Sequence, residues 1–551
     1  MQISKAKLLT GEEIPFGDFN VFVGGNGVGK TTFLMELFSK SAGVQRNKYF
    51  WIQEPNYSTK DIATDMQLLK SSLSKQYEGT NLFYHSHAVK KIDGTVDIEN
   101  NLRFSPSEVK QMESQNNQSL LNEMKYRRPF IAFASCEARL SLPDQVGKVG
   151  YDQLPQDPIN VLHRNRNLLK EIDGTIQEIF KFNFTLLDHT GNKLYLGLSD
   201  ENPPAFSSSA NNLQDEYEKI QSWKDKKFTV LSETGHGIRS MIRLLTSLLE
   251  PVNQVIMIDE PEMHLYPSQK RWLGKQLVSL AKNQKKQVFV VTHDPMVLQG
   301  ILDANTKTSV FRIERKAGAN GNVKVCELNW MADANAMRNQ DQFLQGLFYQ
   351  RCIVVEGASD RSFYQNMMEA FDETSDKDLG FVACGGKGGT KHMASMASKV
   401  GLKSAFIYDF DAILFETKLV QEVYSLLGGS DDPISKIESL LNQKDEIKNA
   451  GDQSIRNRAI KEVVGYRDKA GITSDWATQN KATFGLVIDA LSQKGIFIVP
   501  KGTLESWAPE VEPKVRFAEL APGAIRADTA LNQEFKNFAK KVLEYLDISL
   551  G

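Results

Sequence analysis

Long hydrophobic runs are missing from this sequence of 551 residues: its apolar stretches, such as residues 289–291 and 352–355, are strand-sized. A bilayer crossing takes roughly 20 apolar residues, so no membrane association is expected. The amino terminus lacks an apolar stretch followed by a small-residue cleavage site, which leads us to expect a cytoplasmic protein. Cysteine is scarce. Cys136, Cys326, Cys352 and Cys384 lie far apart with no CxxC pair, which argues against a disulfide framework and against a structural zinc site. An excess of one charge is also lacking, since 66 basic and 68 acidic residues leave a net charge of −2. Nothing basic announces nucleic acid, although a neutral total can conceal a basic groove.

With 41% hydrophobic and 24% charged residues the composition is that of a globular protein, and the length calls for two or three domains. Residues 19–23 are apolar and β-rich, a glycine loop follows, and helix formers resume at 32–38. Strongly apolar strands return at 255–258 and 288–291, as buried parallel strands should look. We expect an α/β fold class. A nucleotide-binding domain spans 1–315 and is interrupted over about 60–225 by a polar, helical insertion suited to arms or an oligomer contact. A linker at 316–348 leads to a second α/β domain at 349–551. Its strands are expected at 352–355, 380–383, 404–408 and 495–499, with a charged helical insertion at about 415–489 and a closing helix at 531–548.

The glycine loop reads Gly24-Gly25-Asn26-Gly27-Val28-Gly29-Lys30-Thr31, a full match to G-x-x-x-x-G-K-[ST] between a strand and a helix. Glycines let backbone N–H groups wrap phosphates, Lys30 neutralises the β and γ oxygens, and Thr31, followed by Thr32, offers a hydroxyl to magnesium. ATP is the expected ligand. Asp259 and Glu260 end an apolar strand, the layout that brings Asp259 to the magnesium shell and Glu260 to the attacking water. His293 ends another strand, where it would sense the γ-phosphate. Ahead of these, residues 231–239 hold Ser232 and Gly235 at the opening of a helix.

In the second domain a buried strand delivers Glu356 to a glycine turn, with Asp360 four residues on, and a later strand ends in Asp409 and Asp411. Adjacent strand ends would gather four carboxylates, which repel one another unless divalent cations intervene, so Mg²⁺ or Mn²⁺ is expected in a two-metal arrangement suited to phosphodiester cleavage. The glycine run 385–389 either approaches a DNA backbone or forms a flexible loop.

Residues 231–239 resemble the signature loop of ABC-type ATPases, the group of SMC and RecF proteins. That resemblance implies that Ser232 and Gly235 complete a partner subunit's ATP site, so that ATP and dimerisation go together. Glu356 with the Asp409-x-Asp411 pair resembles the Toprim domain. Residues 499–505 resemble the late element of its nuclease branch, which implies phosphate stabilisation by Lys501 and metal ligation by Glu505; the alternative is an ordinary turn before a helix. The two domains on one chain look like the OLD (overcoming lysogenization defect) family, which includes the nuclease subunit of the Gabija anti-phage system. What this implies is an ATP-regulated, metal-dependent DNA endonuclease or nickase, assembled as a dimer or tetramer. It would serve phage defence beside a helicase-like protein, or a reverse transcriptase with its small DNA. A RecF-like repair or sensor ATPase with a non-catalytic Toprim scaffold is the alternative, and a topoisomerase or primase ranks last because no zinc spacing is present.

Overall fold

The computed structural model describes residues 1–43, 46, 48–59, 61–71, 73–78, 81–86, 103–112, 123–140, 143–150, 158–205, 213–304, 308–314, 322–327, 340–369, 378–467, 471–472, 474–475, 479–500, 502–511 and 516–548. The chain divides into two compact units. One runs from Met1 to Asn322 apart from the three residues 24–26, and the other from Val323 to Gly551.

In the first unit, short runs of valine, isoleucine and phenylalanine form strands buried along most or all of their length. They are β1 (Phe19–Val23), β2 (Ile131–Ala134), β3 (Val255–Asp259), β4 (Gln287–Val291) and β5 (Ser309–Glu314). All five are parallel, in the order β5-β1-β4-β3-β2. Parallel strands need crossovers, and helices supply them: α1 (Lys30–Ala42), α2 (His236–Leu249), α3 (Pro267–Asn283) and α4 (Pro295–Ala304). Asp259 lies level with Val291, and Val291 with Phe22, so the ends of β1, β3 and β4 share one edge of the sheet. That edge is where α/β proteins place ligands.

The stretch read as a helical insertion is different in two respects. It contributes β2 to the central sheet, and it contains antiparallel β structure on either side of that strand. Leu73–Glu78, Asn81–Ser86 and Arg103–Phe104 pair before it; Gln145–Gly147, Asn183–Thr190, Lys193–Ser199 and Phe228–Val230 form a four-stranded sheet after it. Helices occur there too, such as Arg166–Phe180 and Leu213–Lys227.

The second unit has a four-stranded parallel sheet of β6 (Arg351–Val355), β7 (Leu379–Ala383), β8 (Lys403–Tyr408) and β9 (Ile496–Ile498), in the order β7-β6-β8-β9. The crossovers α5 (Ala358–Glu369) and α6 (Lys387–Val400) follow β6 and β7. Between β8 and β9 the chain forms mainly helices, among them Thr417–Leu426, Gln453–Val464 and Lys481–Ser492. Two closing helices, α7 (Phe517–Ala527) and α8 (Thr529–Tyr545), bury Phe517, Phe535 and Phe538 against Ile353, Phe363 and Phe497.

Candidate active sites

β1 stops at Val23, and Gly24, Gly27 and Gly29 then take φ of 145°, 70° and 100°, backbone that a β-carbon opposes. Asn26 is exposed on this loop. α1 starts at Lys30, so the N–H groups of its first turn, with Lys30, Thr31 and Thr32, stand where a phosphate would be held. Gly29 is also confined from one side, because a β-carbon there would lie 3.0 Å from the Trp51 ring. Trp51 is fixed in turn by the buried Glu36 carboxylate, which accepts the N–H groups of Phe50, Trp51 and Ile52 at 2.7, 2.9 and 3.1 Å.

Thr31 Oγ1 donates to Asp259 Oδ1 at 2.9 Å. Burial pushes the Asp259 carboxyl up to about 6 against that hydrogen bond, and Glu260 adds to the rise. Glu260 Oε1 lies 3.1 Å from His293 Nε2. Burial and the Lys30 charge hold the His293 imidazole below its ordinary value, while Glu260 opposes them. The structure thus brings Thr31, Asp259, Glu260 and His293 to one edge.

Two buried residues without a role in the motif reading support this edge. Glu262 Oε1 accepts the Thr292 hydroxyl at 2.9 Å and the His293 N–H at 2.8 Å, fixing the turn that presents His293. Burial pushes its carboxyl up to about 7. Arg139, fully buried, donates to Ser240 Oγ and to the carbonyls of Ala134, Asp259 and Glu260.

Ser232 lies in a single 3₁₀ turn and is exposed, with its N–H on Asp144 Oδ1 at 2.6 Å; Gly235, also exposed, caps α2. The start of α2 packs closely, since a β-carbon on Gly237 would meet the His264 carbonyl at 2.6 Å.

In the second unit Glu356 follows the last residue of β6, and Asp409 follows the last residue of β8, its paired neighbour. Asp360 sits in the first turn of α5, where Gly357 N–H donates to its Oδ2 at 3.0 Å. Burial pushes Glu356 up to about 7, opposed by Lys387 and reinforced by Asp411, Asp360 and Glu416. Burial drives Asp409 up to about 9, reinforced by Glu356, Asp360 and Asp411. Asp360 is raised by burial, with Glu505 adding to it. Glu505 accepts from Thr503 Oγ1 at 2.7 Å, and Lys501 lies outside the described residues.

The glycine run 385–389 is a built element rather than a flexible loop. Gly385 and Gly386 take φ of 67° and 121°, Gly386 N–H donates to the Glu356 carbonyl at 2.7 Å, and α6 begins at Lys387. Lys387 Nζ then reaches Asp411 Oδ1 at 2.7 Å, so a lysine that no motif singled out enters the acidic pocket. Among the described residues no three His, Cys, Asp or Glu side chains converge on one point as metal ligands. The donors nevertheless fit a hard cation in kind: all are carboxylates, acidic neighbours add to the rise of Glu356 and Asp409, and Glu356 Oε1 is buried without a hydrogen-bond donor.

Comparison with known proteins finds a family match in each unit. Residues 45–298, beginning downstream of the phosphate loop, match the family described as AAA ATPase domain. Residues 347–411, which hold Glu356, Asp360, Asp409 and Asp411, match the family described as overcoming lysogenization defect protein-like, TOPRIM domain. The chain therefore carries an ATPase domain and an OLD-like Toprim domain, and is similar to the OLD nucleases. Among its relatives is the OLD nuclease of Thermus scotoductus, 26% identical over 197 residues that cover 32% of this chain and 36% of that protein. The Old nuclease of Escherichia phage P2 is 24% identical over 302 residues, covering 50% of this chain and 49% of that protein. The Septu protein PtuA of Bacillus mycoides is 27% identical over 112 residues, 18% of this chain and 15% of that protein. The chain thus spans half or less of the length of the curated OLD relatives it matches. No helix among the described residues is long and apolar enough to cross a membrane.

Proposed function

We propose that this chain is an ATP-regulated, divalent-metal-dependent DNA endonuclease or nickase. The observation that carries it is the delivery of Glu356 and Asp409 by two paired parallel strands into one half-buried acidic cluster. Glu356, Asp360, Asp409 and Asp411 would hold Mg²⁺ or Mn²⁺, with Glu505 as a further ligand. A pair of such ions polarises the scissile phosphate and stabilises the attacking and leaving oxygens. Lys387, now on Asp411, and Lys501 would hold phosphate oxygens of the DNA. The named nuclease activity of the two OLD relatives supports this reading.

In the first unit Lys30, Thr31 and Asp259 would bind ATP with magnesium, Glu260 would orient the attacking water and His293 would face the γ-phosphate. The exposed Ser232 and Gly235 would close the site of a second copy, making a dimer or tetramer the ATP-bound form. A defence role, with a helicase-like or reverse-transcriptase partner, is carried over from the family resemblance.

Incubating the protein with supercoiled DNA, Mg²⁺ or Mn²⁺, with and without ATP, tests the reading. Wild type should nick, whereas Asp409→Ala should lose at least about 10²-fold of the cleavage rate and still bind ATP. Undiminished cutting by Asp409→Ala would refute the assignment. No cutting by wild type under any condition would favour a sensor ATPase with a non-catalytic Toprim scaffold.

A further inference from the structure

Arg139 is a charged side chain with no exposed surface, and it belongs to none of the nucleotide-binding motifs. It lies on the short helix Cys136–Leu140 that follows β2. Its Nε donates to Ser240 Oγ at 2.8 Å. Nη1 donates to the Ala134 carbonyl at 3.0 Å and the Asp259 carbonyl at 2.5 Å, and Nη2 donates to the Glu260 carbonyl at 2.5 Å. One planar guanidinium therefore joins the end of β2, the acidic end of β3 and the middle of α2. A lysine ammonium, a point charge on a single atom, cannot reproduce that fork.

The acceptors matter because of the backbone they belong to. Glu260 has φ of 48°, a left-handed conformation that a residue other than glycine keeps only where its surroundings over-determine it. Its N–H is held by the Val291 carbonyl at 2.9 Å. Its carbonyl takes the Arg139 bond and the Met263 N–H at 3.2 Å. With the backbone held at both ends, the side chain is aimed so that Oε1 lies 3.1 Å from His293 Nε2. Ser240, the remaining partner, lies on α2, whose first turn follows Gly235 and the exposed Ser232 loop.

We propose that Arg139 is a positioning residue for ATP hydrolysis: it holds the Glu260 backbone in its left-handed conformation, and through Ser240 it ties the hydrolytic end of β3 to the helix that carries the Ser232 loop. This inference rests on the reading of Glu260 as the residue that orients the attacking water. Arg139 touches neither nucleotide nor water in this role. It acts through the geometry of Glu260, and an error of about 1 Å in such geometry costs on the order of 10²-fold in rate.

The test compares the full-length wild type with Arg139→Lys, Ser240→Ala and Glu260→Gln. It measures ATP affinity by fluorescent-nucleotide titration, kcat by phosphate release, and the melting temperature. Arg139→Lys should bind ATP within about threefold of wild type while kcat falls about 10- to 100-fold, a split that loss of fold does not produce. Ser240→Ala, which leaves the bonds to the three carbonyls in place, should remain folded and show a smaller fall in kcat at unchanged affinity. If Arg139→Lys does not fold, Ser240→Ala decides, and a wild-type kcat there overturns the proposal. A wild-type kcat in Arg139→Lys, alongside an inactive Glu260→Gln, overturns the role of Arg139 alone. Undiminished turnover in Glu260→Gln instead overturns the reading of Glu260, and the role of Arg139 falls with it.

Discussion

Single buried side chains set the geometry of the first site, and Glu262 gives a measurable consequence. Its carboxyl is raised from an ordinary 4.5 to about 7 because burial penalises the charge more than the Thr292 and His293 donors favour it. Between those values the native state binds a proton that the unfolded chain has released, so this group's contribution to stability is full below about pH 4.5 and is lost as pH rises through about 7. Glu262→Gln keeps an acceptor for both donors and cannot ionise. Denaturant unfolding at pH 5 and pH 8 should therefore show the wild type losing roughly 2–3 kcal/mol more than Glu262→Gln over that interval. Parallel losses would show that Glu262 is ionised at neutral pH in the folded protein. The residues legible in the sequence were those whose partners the motif itself defines, such as Lys30, Thr31 and Asp259. Arg139 was not legible, since its acceptors Ser240 and Glu260 lie 101 and 121 positions away and no local pattern marks them. Lys387 escaped for the same reason, its carboxylate being 24 positions on.

At the scale of elements, the four strands of the second unit were readable because each is a short apolar run bounded by polar residues. β2 was not, because its four residues stand in a long polar stretch and gain their meaning only by pairing with β3. The antiparallel strands near it likewise escaped a reading based on polarity, since half-buried strands carry polar residues on one face. The start of α6 allows a sharp test. A β-carbon on Gly389 would lie 2.1 Å from the Cys384 carbonyl, whereas one on Gly388 would meet nothing within 4 Å. Gly389→Ala must push the helix start away from β7 and should cost about 1–3 kcal/mol. It should also draw Lys387 off Asp411. Gly388→Ala, in the first turn of the same helix, should be neutral or stabilise by up to about 1 kcal/mol. Equal effects of the two substitutions in chemical denaturation would show that the glycine run is loose, the reading the sequence alone left open.

For the whole molecule the issue is whether the two sites communicate, and thermodynamic linkage makes this decidable without cleavage. If bound ATP changes DNA affinity by some factor, bound DNA must change ATP affinity by the same factor. Regulation through Lys30 predicts that DNA shifts the ATP dissociation constant of Asp409→Ala by about 5- to 150-fold, the usual range for coupled sites, in whichever direction ATP shifts DNA binding. Asp409→Ala is used because it should leave the DNA intact. Lys30→Ala, which removes the cation at the start of α1, should bind ATP too weakly to titrate and should cut DNA at a rate indifferent to added ATP. Measuring both affinities by titration, each with and without the other ligand, closes a thermodynamic cycle. An ATP affinity that saturating DNA leaves unchanged would mean that ATP does not regulate DNA binding. If Lys30→Ala cleavage still responded to ATP, the nucleotide would be acting somewhere other than the phosphate loop.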